Sequence, residues 1–109
     1  MSQQIVQVNF QFKGSVEEYK RAAEMVTKAF AALPGLLWKI WLVNEDSKEG
    51  GGIYLFANKT VVDNYKNSDI FKSMLANPDY INFSIKQYDM LEGPGKTTHA
   101  PAGEQLVIL

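Results

Sequence analysis

The feature that most constrains this chain is a pair of β-rich segments on either side of a short glycine-rich stretch. The segments cover residues 36–46 and 52–58, and Ser-Lys-Glu-Gly-Gly at 47–51 separates them. Two such segments around a short loop that contains glycine are typical of a β-hairpin. Apolar side chains stand at successive positions in both segments rather than at alternate ones. This pattern indicates that both faces of the hairpin are buried.

The alternation of a strand divides these side chains between two faces. Trp38, Ile40 and Leu42 share one face of the first strand, whereas Leu37, Trp41 and Val43 lie on the other, with Lys39 among them. Helices of the same chain can cover one face of the sheet. A chain of 109 residues is long enough for one core but not for two. We therefore expect a second subunit on the other face, in a homodimer that packs sheet against sheet.

A strand and a helix precede the hairpin. Residues 6–12 alternate between apolar and polar side chains, as a strand with one buried face does. Ser15 and Glu18 then have the spacing of a capping box, which marks the start of a helix. Apolar residues continue at helical spacing as far as Leu33, and Pro34 ends the helix because it cannot continue one.

A second helical region and a last strand follow the hairpin. The helical pattern covers 60–76, with a break expected at Asn67–Ser68, and the strand covers 80–91. In that strand, Ile81, Phe83 and Ile85 are expected on one face, opposite Asn82, Ser84, Lys86 and Tyr88. The order β-α-β-β-α-β is that of the ferredoxin-like fold. We therefore predict an α+β domain built on one antiparallel sheet.

The composition changes after residue 92. Residues 1–92 contain every predicted element and are expected to form one domain. Residues 93–109 are rich in Gly, Pro and Thr, and we expect them to form a flexible arm. The arm ends in Leu106–Leu109, which is too apolar to stay in water. We expect this end to dock as an edge strand on its own subunit or on the partner subunit.

Composition excludes several classes of function. The 11 Lys and Arg residues nearly balance the 12 Asp and Glu residues, so the charge favours neither nucleic acid nor an anionic membrane. The absence of Cys excludes disulfides, thiolate metal sites and a thiol nucleophile, and it suits a reducing compartment. No apolar run reaches the roughly 20 residues of a membrane span, and the N-terminus has no signal-peptide pattern. We therefore expect a soluble, cytoplasmic protein.

Residues with catalytic or metal-binding chemistry are few. His99 is the single histidine and lies in the arm, so we interpret it as a solvated loop residue. Zinc and iron sites usually need three or four ligands, and no metal site is expected. Gly50–Gly52 lacks the spacing of a phosphate-binding loop and precedes a strand, so we interpret it as the hairpin turn. No Ser-His-Asp set can be assembled, and no catalytic residue is predicted.

Aromatic side chains of the sheet indicate a small-molecule cavity. Trp38 and Trp41 stand three apart on a strand and must point to opposite faces. Both could serve core packing alone, but the polar edges of Trp and Tyr also suit an aromatic ligand. We expect Trp38, Tyr54, Asn9 and Tyr65 to line a pocket between sheet and helices, with Trp41, Lys39 and Tyr88 on the opposite face or dimer side.

One nucleic-acid-binding domain shares this order of elements. RNA-recognition domains stack bases on aromatic residues of their two central strands. Gly51–Phe56 and Phe10 echo that arrangement, but the leading basic residue and the glycine between the aromatics are missing. We therefore expect no nucleic-acid partner.

Two blocks of the hairpin resemble a known family. Pro-Gly-Leu-Leu-Trp-Lys-Ile-Trp at 34–41 and Glu-Gly-Gly-Gly-Ile-Tyr-Leu-Phe at 49–56 are similar to the core of the YdhR-type monooxygenases, and the order of elements agrees from about Gln4 to Leu91. The resemblance implies a dimeric α/β barrel. Some relatives in that superfamily oxidise polycyclic phenols with O₂ and use neither metal nor flavin. The resemblance therefore implies cofactor-independent oxidation of an aromatic or polyketide-like compound. The alternative is a dimeric protein that binds such a ligand without chemistry.

Overall fold

A computed structural model describes residues 2–101 and contains one four-stranded antiparallel sheet with strand order β2-β3-β1-β4. The elements are β1 (Gln4–Phe12), α1 (Val16–Ala31), β2 (Leu36–Asn44), β3 (Glu49–Phe56), α2 (Lys59–Lys66), α3 (Asp69–Ala76), β4 (Tyr80–Asp89) and α4 (Glu92–Thr97). This order and topology confirm the predicted ferredoxin-like α+β fold.

The predicted helix boundaries rest on side-chain caps. Ser15 accepts a hydrogen bond from the backbone N–H of Glu18, and the Glu18 carboxylate accepts one from the backbone N–H of Ser15, which completes the capping box. These bonds lower the pKa of Glu18 because they favour its charged form. The break in the second helical region is confirmed, because Asn67 ends α2 and Ser68 caps α3.

The core lies between one face of the sheet and the helices. Alternate residues of β1 point into it, and the C-terminal end of β3 and the apolar stripes of α1, α2 and α3 supply the rest. Its buried members are Val6, Val8, Phe10, Phe12, Tyr19, Phe30, Tyr54, Phe56, Val62, Tyr65 and Phe71. We call this side of the sheet the helix face and the other side the open face.

The glycines of the hairpin are not in its turn, so that interpretation is wrong. The turn is formed by residues 45–48, and Gly50–Gly52 lie inside β3. Gly51 has a φ of +147°, and a Cβ there would lie 1.9 Å from the backbone oxygen of Val8. The strand therefore requires glycine at this position, because β1 approaches too closely for any side chain.

The face prediction for β4 is wrong at Ile81. A register shift in the pairing of β1 with β4 occurs between Asn9 and Gln11, and Asn82 has a φ of +57°. A bulge of this kind inserts a residue and reverses the alternation beyond it. Ile81 pairs with Gln11 on the open face, while Phe83 and Ile85 pack against the core.

The open face of the sheet is partly apolar. Ile40 and Tyr88 are each 49% exposed and Ile81 is 38% exposed. Trp38, Leu42, Ile53 and Leu55 share this face with them by strand register. No helix within residues 2–101 has the length and hydropathy needed to cross a membrane.

The arm begins with a short helix. Residues 92–97 form α4, whose residues are exposed apart from Gly95. The apolar end at 106–109, for which docking is expected, lies outside the described residues. The division of the chain into 1–92 and 93–109 remains a prediction.

Candidate functional site

A cleft of about 390 Å³ lies between the helix face of the sheet and helices α1 and α3. Small residues of α1 line part of its wall, namely Ala22, Ala23 and Ala29, and the backbone of Gly51 on β3 also reaches it. Small side chains on a helix that faces a sheet leave a space that larger ones would fill. The other lining residues are Phe10, Tyr19, Val26, Phe30, Lys39, Trp41, Tyr54, Asp69, Ile70, Ser73, Met74, Asn77 and Tyr80, and we call this space the aromatic cleft.

Aromatic rings form two walls of the aromatic cleft. Phe10 stacks on Tyr80 with ring centroids 4.3 Å apart, which places a flat surface across β1 and β4. Phe30 and Trp41 meet edge to face with centroids 5.3 Å apart and join α1 to β2. Rings held in such pairs favour a flat aromatic ligand, which can stack on a face or meet an edge.

Lys39 brings a positive charge into these rings. Its Nζ lies 3.4 Å from the ring centroid of Trp41 and 3.5 Å from that of Phe30. The Tyr54 ring is 4.6 Å away. Ring faces attract an ammonium group through their quadrupole, so three rings hold this one in place. Within residues 2–101 the Nζ atom makes no ion pair or hydrogen bond.

Gly52 makes room for the stem of Lys39. A Cβ at Gly52 would lie 2.7 Å from Lys39 Cε, which is closer than real Cβ atoms come. Gly52 faces Trp41 across the ladder, so the missing side chain leaves the space beside Trp41 and Tyr54 free. The glycine of β3 and the lysine of β2 therefore form one packing unit.

Burial lowers the pKa of Lys39 from its usual 10.5 to about 7. Removing an ammonium group from water without supplying a carboxylate disfavours the charged form. The ring faces act in the opposite direction, because they favour the ammonium. Lys39 can thus take up or release a proton near neutral pH, which an exposed lysine does not do.

Tyr19 connects α1 to the hairpin ladder above the cleft. Its hydroxyl group donates a hydrogen bond to the Leu42 carbonyl at 2.8 Å and accepts one from the Gly51 N–H at 2.9 Å. Leu42 and Gly51 are partners in the β2–β3 pairing. The hydroxyl group therefore occupies the place of a ladder hydrogen bond and fixes the helix against the sheet.

Tyr54, whose ring lies next to Lys39, is hydrogen-bonded to a second tyrosine, Tyr65. The Tyr65 hydroxyl group donates to the Tyr54 hydroxyl group at 3.2 Å. Burial raises the pKa of Tyr65 to about 12 and raises that of Tyr54 further. Both phenols therefore stay protonated at neutral pH, and they are donors rather than bases.

The structure brings together a different set of residues from the predicted pocket lining. Tyr54 lies in the aromatic cleft as expected, and Tyr65 lies directly behind it. Lys39 and Trp41 also line the cleft, so their assignment to the opposite face is wrong. The reason is register: Lys39 pairs with Tyr54, and cross-strand partners share a face.

Trp38 and Asn9 are on the open face, and their assignment to the pocket is wrong. Trp38 pairs with Leu55 and Asn9 pairs with Gly51, which are one and three positions from Tyr54 along β3 and therefore on the other face. Tyr88 lies on the open face, where it was expected. A binding role for any of these residues remains a prediction.

Several cleft residues were not predicted. Phe10, Tyr19 and Phe30 follow the apolar spacing of β1 and α1, and a residue that lines a cleft has the same spacing as one that fills a core. Tyr80 was predicted only as the start of the last strand. The usable signal is the presence of Ala22, Ala23 and Ala29 on the side of α1 that faces the sheet.

The remaining candidates lie away from the cleft. His99 is exposed beyond α4. No cluster of three or more His, Cys, Asp or Glu side chains is found within the described residues. Phe10, Tyr54 and Phe56, on which an RNA-binding sheet would depend, are at most 5% exposed beneath the helices and present no stacking surface.

Sequence comparison identifies one family. The family model described as "Putative mono-oxygenase ydhR" matches residues 5–101. No curated protein sequence matches this chain.

Solved structures with the same fold include three of interest. NE2512, a protein of unknown function from Nitrosomonas europaea, has a TM-score of 0.71 at 16% identity, with 84% of this chain and 91% of that chain covered. SnoaB, a cofactor-independent oxygenase from Streptomyces nogalater, has a TM-score of 0.66 at 13% identity, with 81% and 92% covered. MhuD, a heme-degrader from Mycobacterium tuberculosis, has a TM-score of 0.62 at 15% identity, with 80% and 95% covered. At these identities the likeness shows the ferredoxin-like fold alone.

Proposed function

The chain belongs to the ydhR mono-oxygenase family, and on that basis we propose that it is a cofactor-independent monooxygenase that oxidises a small aromatic compound in the aromatic cleft. The observation that carries the proposal is the cleft itself, where aromatic walls surround a lysine ammonium group that forms no ion pair with any carboxylate of residues 2–101. One structural neighbour, SnoaB, is a cofactor-independent oxygenase.

The chemistry can proceed on the substrate alone. A phenol that loses its hydroxyl proton becomes an electron-rich anion, which passes one electron to O₂. The phenoxyl radical and superoxide combine at a ring carbon, a C–O bond forms, and the peroxide anion takes up the proton that the phenol released. Loss of water from the resulting hydroperoxide breaks the O–O bond and leaves a carbonyl group. Phenol and O₂ thus give quinone and water, so one oxygen atom enters the product.

The protein contributes the environment for these steps. The ring walls hold a flat substrate in one orientation, which lowers the entropic part of the barrier. Exclusion of water strengthens the attraction between an anionic intermediate and the Lys39 ammonium group. Tyr54, protonated at neutral pH, keeps the floor of the cleft uncharged.

Oxygen uptake tests this function. Purified protein is given polycyclic phenols and quinols in air, with chelator present and no flavin added. We expect uptake of one O₂ per quinone formed. Heme is included in the panel as a further compound. The absence of O₂ uptake with every compound of the panel would contradict the proposal.

A pair of variants of α1 places the reaction in the cleft. Ala23→Trp puts a large side chain into the aromatic cleft, whereas Glu24→Trp puts the same side chain on the exposed surface of the same helix. Turnover should be lost in the first variant and kept in the second. Equal turnover in both variants would show that the reaction takes place outside the aromatic cleft.

A non-catalytic binding protein on the same scaffold is the alternative. Such a protein would also lose ligand binding in Ala23→Trp, as measured by tryptophan fluorescence or by calorimetry. It would not convert the ligand in air. Product analysis by mass spectrometry separates the two functions.

We also propose that the protein is a homodimer through the open face of the sheet. Ile40 and Ile53 pair on that face, and Ile40 is half exposed. The indole Nε1 of Trp38 is buried and has no hydrogen-bond partner among residues 2–101, so it is a donor for an acceptor from a second subunit. Apolar surface of this kind on a sheet is typical of an interface.

A further inference from the structure

Lys39 differs from the other charged side chains of the molecule in its surroundings. It is the single cation among the described residues that line the aromatic cleft, and Asp69 at the start of α3 is the single carboxylate there. The ammonium group is held by the rings of Phe30, Trp41 and Tyr54 rather than by a counter-ion. The side chain of Lys39 is partly withdrawn from water and makes no ion pair among residues 2–101, so an anion bound beside it would stabilise the ammonium group.

We propose that Lys39 is the proton acceptor and counter-ion of the aromatic cleft, and that the ligand is therefore a planar phenol or enol with an acidic hydroxyl group. This role of Lys39 rests on the proposed function only for the oxidation that follows proton transfer. The binding step needs no oxidation. Proton transfer and charge pairing can therefore be measured in the absence of O₂.

The proton moves within the cleft. The neutral amine of Lys39 accepts the hydroxyl proton of the ligand, so an O–H bond breaks and an N–H bond forms. The products are an ammonium group and a phenolate or enolate in contact, away from water. Two opposite charges attract each other far more strongly there than in solution. A pKa of about 7 for Lys39 makes both directions of this transfer accessible at neutral pH.

Other titratable groups of the cleft do not compete as bases. Burial raises the pKa values of Tyr19, Tyr54 and Tyr80, so these phenols remain protonated. The Tyr19 hydroxyl group is also held by Leu42 and Gly51. Asp69 is exposed at the rim. A carboxylate there repels an anionic group on the α3 side of the cleft, so the acidic hydroxyl group of the ligand is expected beside Lys39.

Binding of 4-nitrophenol without O₂ tests the proposal. This probe is an acidic phenol that ionises near neutral pH, and only its ionised form is yellow. The dissociation constant and the colour of the bound probe are measured from about pH 5 to about pH 9. The complex needs a charged lysine and an ionised phenol, so affinity should peak near neutral pH. It should fall about tenfold for each pH unit on either side.

Two substitutions distinguish the role of Lys39 as a base from its role as a counter-ion. Lys39→Met leaves no charge, so the bound probe should be colourless and its affinity should fall as pH rises. Lys39→Arg keeps the charge but cannot accept a proton, so affinity should rise with pH to a plateau. Lys72→Met, which removes an exposed lysine of α3 outside the cleft lining, should keep the wild-type profile.

The outcomes are decisive for Lys39 whatever the enzyme does with O₂. A wild-type profile in Lys39→Met, or failure of the wild-type protein to bind the probe in its ionised form, would overturn the proposal. Failure of every phenol to consume O₂ would remove the proposed function but leave the binding result intact. Turnover that is unchanged in Lys39→Met would leave the function standing and remove Lys39 from it.

Discussion

At the scale of single residues, the chemistry of this protein depends on which way two neighbouring side chains point. Trp38 and Lys39 are adjacent, and the sheet sends them to opposite faces. The sequence shows that they must separate, but both faces of β2 are apolar, so nothing in the pattern assigns the helix face to one of them. The tertiary contact that decides it is the approach of Phe30 to Trp41 and Lys39. Residue composition does not encode that approach.

Lys39→Met is expected to stabilise the protein more at pH 6 than at pH 9. Folding lowers the pKa of Lys39 to about 7, so between that pH and 10.5 the unfolded chain binds the extra proton and the stability of the wild-type protein rises with pH. The penalty for burying the charge is complete below pH 7. The advantage of the methionine variant should therefore shrink by at most about 1.4 kcal/mol per pH unit above 7.

Urea unfolding at the two pH values measures this difference. Lys72→Met is the matched control, since that lysine is exposed, and its effect should not depend on pH in this range. An advantage of Lys39→Met that is equal at both pH values would show that Lys39 keeps an ordinary pKa.

Tyr19→Phe is expected to lower the free energy of unfolding by about 1–3 kcal/mol, the usual effect of leaving a buried donor without a partner. The substitution removes the hydroxyl group that joins the Leu42 carbonyl to the buried Gly51 N–H. Chemical denaturation measures the change. Tyr88→Phe removes a hydroxyl group from a residue that is 49% exposed and should have little effect. Equal stability of the two variants would contradict the bridging role of Tyr19.

At the scale of elements, local signals predict most of the structure and fail where strands meet. Capping residues and apolar stripes placed α1 and the break between α2 and α3, because those features depend on residues close in the chain. The glycines of β3 look like a turn, but they are required by contacts with Val8, Tyr19 and Lys39, which are distant in sequence. The bulge that moves Ile81 to the open face likewise arises from pairing with β1.

Gly52→Ala is expected to close the space that holds the lysine stem. The new Cβ would lie 2.7 Å from Lys39 Cε and 3.1 Å from the Ile40 carbonyl oxygen. Overpacking of this kind costs about 1–3 kcal/mol. Displacement of the ammonium group should also abolish the binding of ionised 4-nitrophenol. Denaturation and the binding assay measure the two effects.

Gly93→Ala is the control for that substitution. A Cβ at Gly93 meets no atom within 4 Å, so neither stability nor binding should fall. Unchanged probe binding in Gly52→Ala would show that the lysine stem does not need this space.

At the scale of the whole molecule, the helices formed by residues 2–101 cover one face of the sheet. The helices and the core lie on the helix face, whereas the open face keeps half-exposed apolar residues. The two-sided apolar pattern of the hairpin predicted a face of the sheet that the helices of the same chain leave uncovered. The cleft could not be predicted in the same way, since it is a gap in packing rather than a pattern of residues.

Ile40→Lys is expected to break the proposed dimer. The residue is 49% exposed on the open face, and a charge there would be buried against a second subunit. Light scattering should give twice the chain mass of 12.3 kDa for the wild-type protein and the single mass for the variant. Met25→Lys, at a residue of α1 that is 84% exposed, should leave the mass of the assembly unchanged. A wild-type protein with the mass of one chain would contradict the dimer.

The most direct test of the central claim, that the aromatic cleft is an oxygenase site, is the fate of labelled oxygen. The protein is incubated with a phenol that it consumes under ¹⁸O₂ in ordinary water, and the product is analysed by mass spectrometry. The account predicts one ¹⁸O atom in the product of the wild-type protein and of Glu24→Trp, and no product with Ala23→Trp. Oxygen that comes from water, or labelled product from the variant with the filled cleft, would contradict it.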